Sequence, residues 1–259
     1  MVSTAGGLAL NGFLPIVNSF GVFLASRANE QIYNNATEKT KIIYACHYAG
    51  LIPAGPGKSH QSLRDISLFG ALPNCTIIEP CNSIETAQAL QWCVDQAEQN
   101  CMLRLVISPS PRTVVLPDDY SFAFGRGTVV NEGTDAILFS YGPVMLNEAL
   151  TAAEILNEDG FSLKVINLPW LNEVDVGWLE EVSKDCEFMF SLDNHSGYGG
   201  LGDLLLNALM SSPELRGRRL TKFAIDEFPA CGTPKEALAY HKLDGRSLAE
   251  RIAGVASKQ

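Results

Sequence analysis

Two histidines, His47 and His60, and two phenylalanines three apart, Phe20 and Phe23, are the side chains of this 259-residue chain best placed by type and spacing to do chemistry. A neutral imidazole both donates and accepts hydrogen bonds near pH 7, which suits contact with substrate hydroxyls or proton transfer. His47 directly follows the apolar run 42–45, and open α/β sheets place ligands beyond the C-terminal ends of their strands. Phe20 and Phe23 fall on one face of a predicted helix start, a spacing that fits core filling as well as ligand packing. Arg104 lies in the strand-like run 103–108, and Arg112 follows a proline turn. A guanidinium grips phosphate bidentately, although a solvated arginine is the plainer reading of Arg112.

Two further motifs suggest nucleotides. Lys58-Ser59 resembles the end of a phosphate-binding loop, but Ile52 stands where its first glycine is required. Gly197-Tyr198-Gly199-Gly200-Leu201-Gly202 satisfies G-x-G-x-x-G between a predicted strand and a helix. Asp226 follows 24 residues after the last glycine, near the expected position of a ribose-binding acid.

The elements that must position these residues alternate between apolar runs and amphipathic stretches. That is the pattern of α/β architecture with mostly parallel sheets. Strands are predicted over 14–17, 42–45, 76–79 and 103–108, with helices over 20–36 and 83–99, the latter capped by Ser83. A proline-rich crossing over 108–119 separates a second unit. Its predicted strands are 136–140, 163–168, 188–192 and 222–225, with helices over 144–156, 176–182 and 202–209. Two α/β domains follow, 1–120 and 124–259.

Composition narrows the partners. A net charge of −10 disfavours nucleic acid and anionic membrane surfaces, both of which are bound through excess Lys and Arg. No apolar run reaches the roughly 18 residues that span a bilayer. The first 23 residues lack a basic start and are broken by glycines and Pro15, so they read as folded structure and not as a signal peptide. Seven cysteines without a CxxC pair suggest reduced thiols in the cytoplasm and no metal site.

Several segments together resemble the transketolase family. Gly6-Gly7-Leu8-Ala9-Leu10-Asn11-Gly12, Ser19-Phe20-x-x-Phe23 and Arg27-Ala28-x-Glu30-Gln31-Ile32 resemble its pyrimidine-binding domain. Gly55-Pro56-Gly57-Lys58-Ser59-His60-Gln61 is similar to the family's Gly-Pro-Thr-His-Gln motif. Asp193-Asn194-His195-Ser196 with Gly199-Gly200-Leu201-Gly202, Ser140-Tyr141-Gly142 and Cys231-Gly232-Thr233-Pro234 resemble the C-terminal domain. In that domain the glycine turn serves close packing and binds no nucleotide.

The resemblance implies thiamine diphosphate with Mg²⁺ and ketol transfer between sugar phosphates. Phe20 and Phe23 would then pack on the aminopyrimidine, and His47 and His60 would face substrate hydroxyls. Arg104 resembles an arginine of the deoxyxylulose-phosphate synthases, with Arg112 a possible substitute for a second, phosphate-gripping one. A third family aromatic falls on Ser26, and an acidic pair is replaced by Pro53-Ala54-Gly55.

The family's cofactor-activating glutamate and first strand would precede Met1, which predicts an exposed strand edge. No Gly-Asp-Gly and paired-asparagine motif is found, so a diphosphate and Mg²⁺ domain is expected on a partner chain, in a homo- or hetero-oligomer. The chain alone is then expected to be inactive. A fragment of a longer enzyme, a noncatalytic regulatory paralogue and a nucleotide-binding oxidoreductase are the alternatives.

Overall fold

The computed structural model describes residues 1–257. In the first unit, helix α1 (Val2–Leu10) precedes strand β1 (Ile16–Phe20), and helices α2 (Gly21–Arg27) and α3 (Asn29–Thr37) follow. Next come β2 (Ile43–His47), α4 (Asp65–Gly70), β3 (Thr76–Ile78), α5 (Ser83–Asp95) and β4 (Cys101–Leu105). The strands form a wholly parallel sheet in the order β1-β2-β4-β3. β1 is an edge strand, and Ile16 on it is 55% exposed.

The second unit contains β5 (Thr128–Asn131), β6 (Ala136–Ser140), α6 (Gly142–Glu158), β7 (Leu163–Asn167) and α7 (Val176–Ser183). It continues with β8 (Phe188–Ser196), α8 (Leu201–Ser211), β9 (Leu220–Ile225), α9 (Pro234–Tyr240) and α10 (Gly245–Ala256). Its sheet runs β5-β7-β6-β8-β9 and is parallel except for β5, which pairs antiparallel with β7. The α/β architecture with mostly parallel sheets is therefore as the sequence predicts.

Several details differ from the sequence reading. The helix expected over 20–36 is two helices, because Ala28 leaves helical geometry at φ −100° and ψ 10°. Helix α5 is capped one residue earlier than expected. Asn82 accepts the Glu85 N–H at 2.9 Å, and the Glu85 carboxylate reaches back to the Cys81 N–H at 2.6 Å. Asn matches Ser as an N-cap, so the local choice of cap is nearly neutral. Strand β8 runs four residues past its expected end, through Asp193-Asn194-His195-Ser196. These polar residues read as loop in the sequence, yet Asp193, Asn194 and His195 are buried. Helices α9 and α10 escape an apolar-period reading but carry legible caps. Thr233 and Glu236 form a capping box, and Asp244 accepts the Ser247 N–H.

The two units share a core. Ile43, Ile77 and Met102 of the first sheet belong to one apolar cluster with Phe139 and Ile166 of the second and with Trp170, which follows β7. Trp170 is fully buried and packs against Trp92, Phe122 and Phe124. Backbone bonds cross the junction too, from Glu79 N–H to Pro169 at 2.9 Å and from Leu171 N–H to Ile77 at 2.9 Å. A second cluster fills the outer face of the second sheet under α6 and α10. All seven cysteines are unpaired, and six of them are buried. Among the described residues no helix is long and apolar enough to cross a membrane.

Candidate functional site

Phe20 ends β1 and caps α2, while Phe23 lies in the first turn of α2. Their ring centroids are 5.6 Å apart at 38°. The His60 ring meets both edge-on, at 5.8 Å from Phe20 and 5.4 Å from Phe23. Such tilted contacts place the positive ring edge against a π-face, each contributing about 0.5–1.5 kcal/mol beyond burial. His47 ends β2 and stands in register with Phe20 on the neighbouring strand. The structure thus brings Phe20, Phe23 and His60 into one cluster at the C-terminal edge of the sheet, with His47 beside Phe20.

Tyr48 joins this cluster without any local signal in the sequence. The ring lies 5.5 Å from Phe20 and 6.0 Å from His60 and, being buried, backs those two rings. A left-handed backbone at Tyr48, φ 59°, turns the side chain into place. Its hydroxyl donates to the Pro53 carbonyl at 2.5 Å, and burial raises its pKa, which keeps it a neutral donor. Spacing carries no signal for this, because the conformation is rare for a bulky residue and is imposed by the surroundings. Ser26 itself is exposed and accepts from Arg64 at 3.1 Å.

A cavity of about 360 Å³ opens beside Phe23. Val2 and Leu24 give it apolar walls, Ser3, Ser19 and Gln31 bring polar groups, and Arg27 lies 4.2 Å over the Phe23 ring. No carboxylate lines it. A flat heteroaromatic ring fits this mixture of apolar face and neutral hydrogen-bonding edge. A hard divalent cation does not, since it calls for clustered oxygen ligands.

The two arginines lie elsewhere. Arg112 pairs with Glu154 at 2.7 Å and borders a separate depression with Pro80 and Ser110. Arg104 is fully buried, which corrects its expected contact with substrate. Its Nε donates to Asp65 at 3.0 Å and its Nη1 to Glu79, while Nη2 donates to the carbonyls of Ser62 (3.1 Å) and Asn194 (2.7 Å). Burial opposes the guanidinium's charge, but Asp65 and Glu79 more than offset this and keep it protonated. Four of its five N–H donors are taken within the protein, and full burial keeps a ligand phosphate from the fifth. Beside it, burial lowers the His195 pKa and holds that ring neutral.

Glu79 pays for its position. Burial pushes its carboxyl up to about 7, against the opposing influence of Arg104 and with added repulsion from Asp65 and Asp193. A carboxyl raised on folding stabilises the fold below its ordinary value of 4.5, and that stability is lost as pH rises towards about 7. At roughly 1.4 kcal/mol per pH unit, the loss is about 3 kcal/mol. Glu79→Gln mimics the protonated form. Urea unfolding is expected to show the variant gaining on the parent by about that amount between pH 4.5 and 8. A difference constant across this range would contradict the assignment.

The glycine-rich turn is filled by the protein itself. Asp193 accepts the N–H groups of Leu201 and Gly202 at 2.8 and 2.9 Å, at the N-terminus of α8. A dinucleotide pyrophosphate would need this same position. Gly200 is required because a Cβ there would lie 2.6 Å from the Asp193 carboxylate. The turn packs helix on strand.

Comparison with known proteins agrees with this arrangement. The transketolase pyrimidine-binding domain matches residues 1–108, and the transketolase C-terminal domain matches residues 125–248. The chain belongs to the transketolase family. A putative transketolase C-terminal section of Methanocaldococcus jannaschii is 29% identical over 254 residues, covering 97% of this chain and 78% of that protein. A 1-deoxy-D-xylulose-5-phosphate synthase of Chlorobium luteolum is 26% identical over 97% of this chain, which spans 39% of the synthase. A solved structure, described as a split-gene transketolase in an inactive β4 tetramer, superposes with a TM-score of 0.86 at 27% identity. It covers 98% of this chain and 80% of its own.

Proposed function

We propose that this chain supplies the pyrimidine side of a thiamine diphosphate site for two-carbon ketol transfer between sugar phosphates. The supporting observation is the cavity lined by Phe23, Val2 and Leu24 and free of carboxylates. When bound, thiamine diphosphate supplies the electron sink that lets a ketose carbon–carbon bond break. Phe23, which lines the cavity and is packed against Phe20, would set the place of the aminopyrimidine, and Ser3, Ser19 and Gln31 would meet its polar edge. The Ser59 hydroxyl lies 2.9 Å from His60 Nδ1, which leaves Nε2 for a substrate hydroxyl. His47 serves a second hydroxyl from the end of β2.

The carboxylate that activates the aminopyrimidine, the diphosphate ligands and Mg²⁺ belong to another segment or chain. A partner carrying a thiamine-diphosphate-binding domain completes the site, as the split-gene description of the similar structure supports. The altered loop Pro53-Ala54-Gly55 would face the substrate, so the sugar is one that needs no carboxylate there. The chain given thiamine diphosphate and Mg²⁺ is expected to show no ketol transfer from a ketose phosphate. Turnover by the pure chain would overturn the divided site.

A further inference from the structure

The segment that carries His60 is held from both sides. On the first unit's side, Ser62 exchanges backbone bonds with Gly50 at 3.0 and 3.1 Å, and Arg104 donates to the Ser62 carbonyl at 3.1 Å. Strand β8 of the second unit grips the same segment. Asn194 Oδ1 accepts the Leu51 N–H at 2.8 Å, and the Ser196 N–H donates to the Leu63 carbonyl at 3.1 Å. Gln61, next to His60, donates from one amide nitrogen to Leu51 and to Ala230, both at 3.0 Å. Arg104 closes the bracket, since one nitrogen reaches both the Ser62 and the Asn194 carbonyls.

The contact is tight as well as polar. Gly50 has φ 80°, and a Cβ there would lie 2.0 Å from the Asn194 amide. Asn194 is itself fixed, because its N–H donates to the Tyr141 hydroxyl at 3.0 Å and that hydroxyl donates to Asp193 at 3.1 Å. Asn194, Gln61 and Ser62 are all buried. His60 is half-buried and packs against the Phe20–Phe23 pair.

We propose that the second domain sets the position of the His60 imidazole, with Asn194 and Arg104 acting as positioning residues through the segment 50–63. The catalytic use of His60 rests on the function proposed above, but the positioning does not. Hydrogen bonds among groups this deeply buried are strong and couple the position of one member to the next. In the assembled enzyme a side chain displaced by about 1 Å costs on the order of 100-fold in rate.

The test compares Asn194→Ala with Ser67→Ala. Ser67 also bonds across the domains, to the Tyr198 carbonyl at 2.6 Å, but lies off the segment. Nuclear magnetic resonance of the His60 ring is expected to show shifted resonances and weakened contacts to Phe23 in Asn194→Ala, and neither in Ser67→Ala. An unchanged His60 ring in folded Asn194→Ala overturns the proposal, as does an equal change in both variants. Should Asn194→Ala not fold, Tyr141→Phe removes the hydroxyl that fixes Asn194 and is read the same way. Turnover with a partner chain is the separate arm. A displaced ring with undiminished turnover would refute the catalytic use of His60 and leave its positioning intact.

Discussion

Arg104→Met is expected to lower the stability of the fold by about 3–5 kcal/mol, the cost of breaking a buried ion pair from one side. The reason lies in what remains. Asp65 and Glu79 are buried, and without the guanidinium they face each other with no counter-charge. The carbonyls of Ser62 and Asn194 lose a donor at the same moment. Domains of this kind have stabilities of about 5–15 kcal/mol, so the change removes a large share. Urea unfolding followed by circular dichroism reads it directly. Because the Glu79 carboxyl already sits at about 7 beside the guanidinium, losing Arg104 favours its protonated form, and adding Glu79→Gln is expected to recover part of the loss only at alkaline pH. A loss below about 1 kcal/mol would mean that water reaches the site, contrary to the burial of all three side chains.

His60→Ala is expected to have the largest effect on chemistry. Positioned proton transfer or donation by an imidazole contributes about 10²–10⁴-fold to rate, and ketol transfer by the assembled enzyme should fall by that order. The same substitution removes the edge that packs on Phe20 and Phe23, so the two effects must be separated. His60→Gln keeps a hydrogen-bonding side chain of similar size. If the imidazole acts chemically, Gln recovers cofactor affinity but not turnover. Equal recovery of both would reduce His60 to packing. His47, on the adjacent strand and not in the ring cluster, is expected to show the smaller loss.

The fold was legible where one element satisfies one pattern. The apolar runs 42–45, 136–140 and 163–168 are central strands buried on both faces, so they leave a plain trace. The break at Ala28 left none, because Arg27, Ala28 and Asn29 are each tolerable in a helix. The end of β8 was hidden for a different reason. Asp193, Asn194 and His195 are polar, and what makes them strand is their burial against Tyr141, Leu51 and Asp65 from elsewhere in the chain.

The site divides in the same way. Phe20, Phe23 and His60 were found through local motifs, and the structure brings the three rings together. Tyr48 depends on a left-handed turn that only tertiary packing imposes. Arg104 reads as a ligand group through its resemblance to an arginine of the deoxyxylulose-phosphate synthases, whereas its environment is fixed by Asp65, Glu79 and Asn194, which lie 39, 25 and 90 residues away in sequence. Chemistry-bearing residue types mark both sites and buried junctions, and sequence separation conceals which is which.

The measurement that bears most directly on the proposed function is calorimetric titration of thiamine diphosphate with Mg²⁺ into this chain, alone and with a partner carrying a diphosphate-binding domain. The expected result is binding only when both chains are present, with the affinity strongly reduced by Phe20→Ala/Phe23→Ala. Binding that ignores the loss of both rings would contradict the account, as would its absence from the assembled pair.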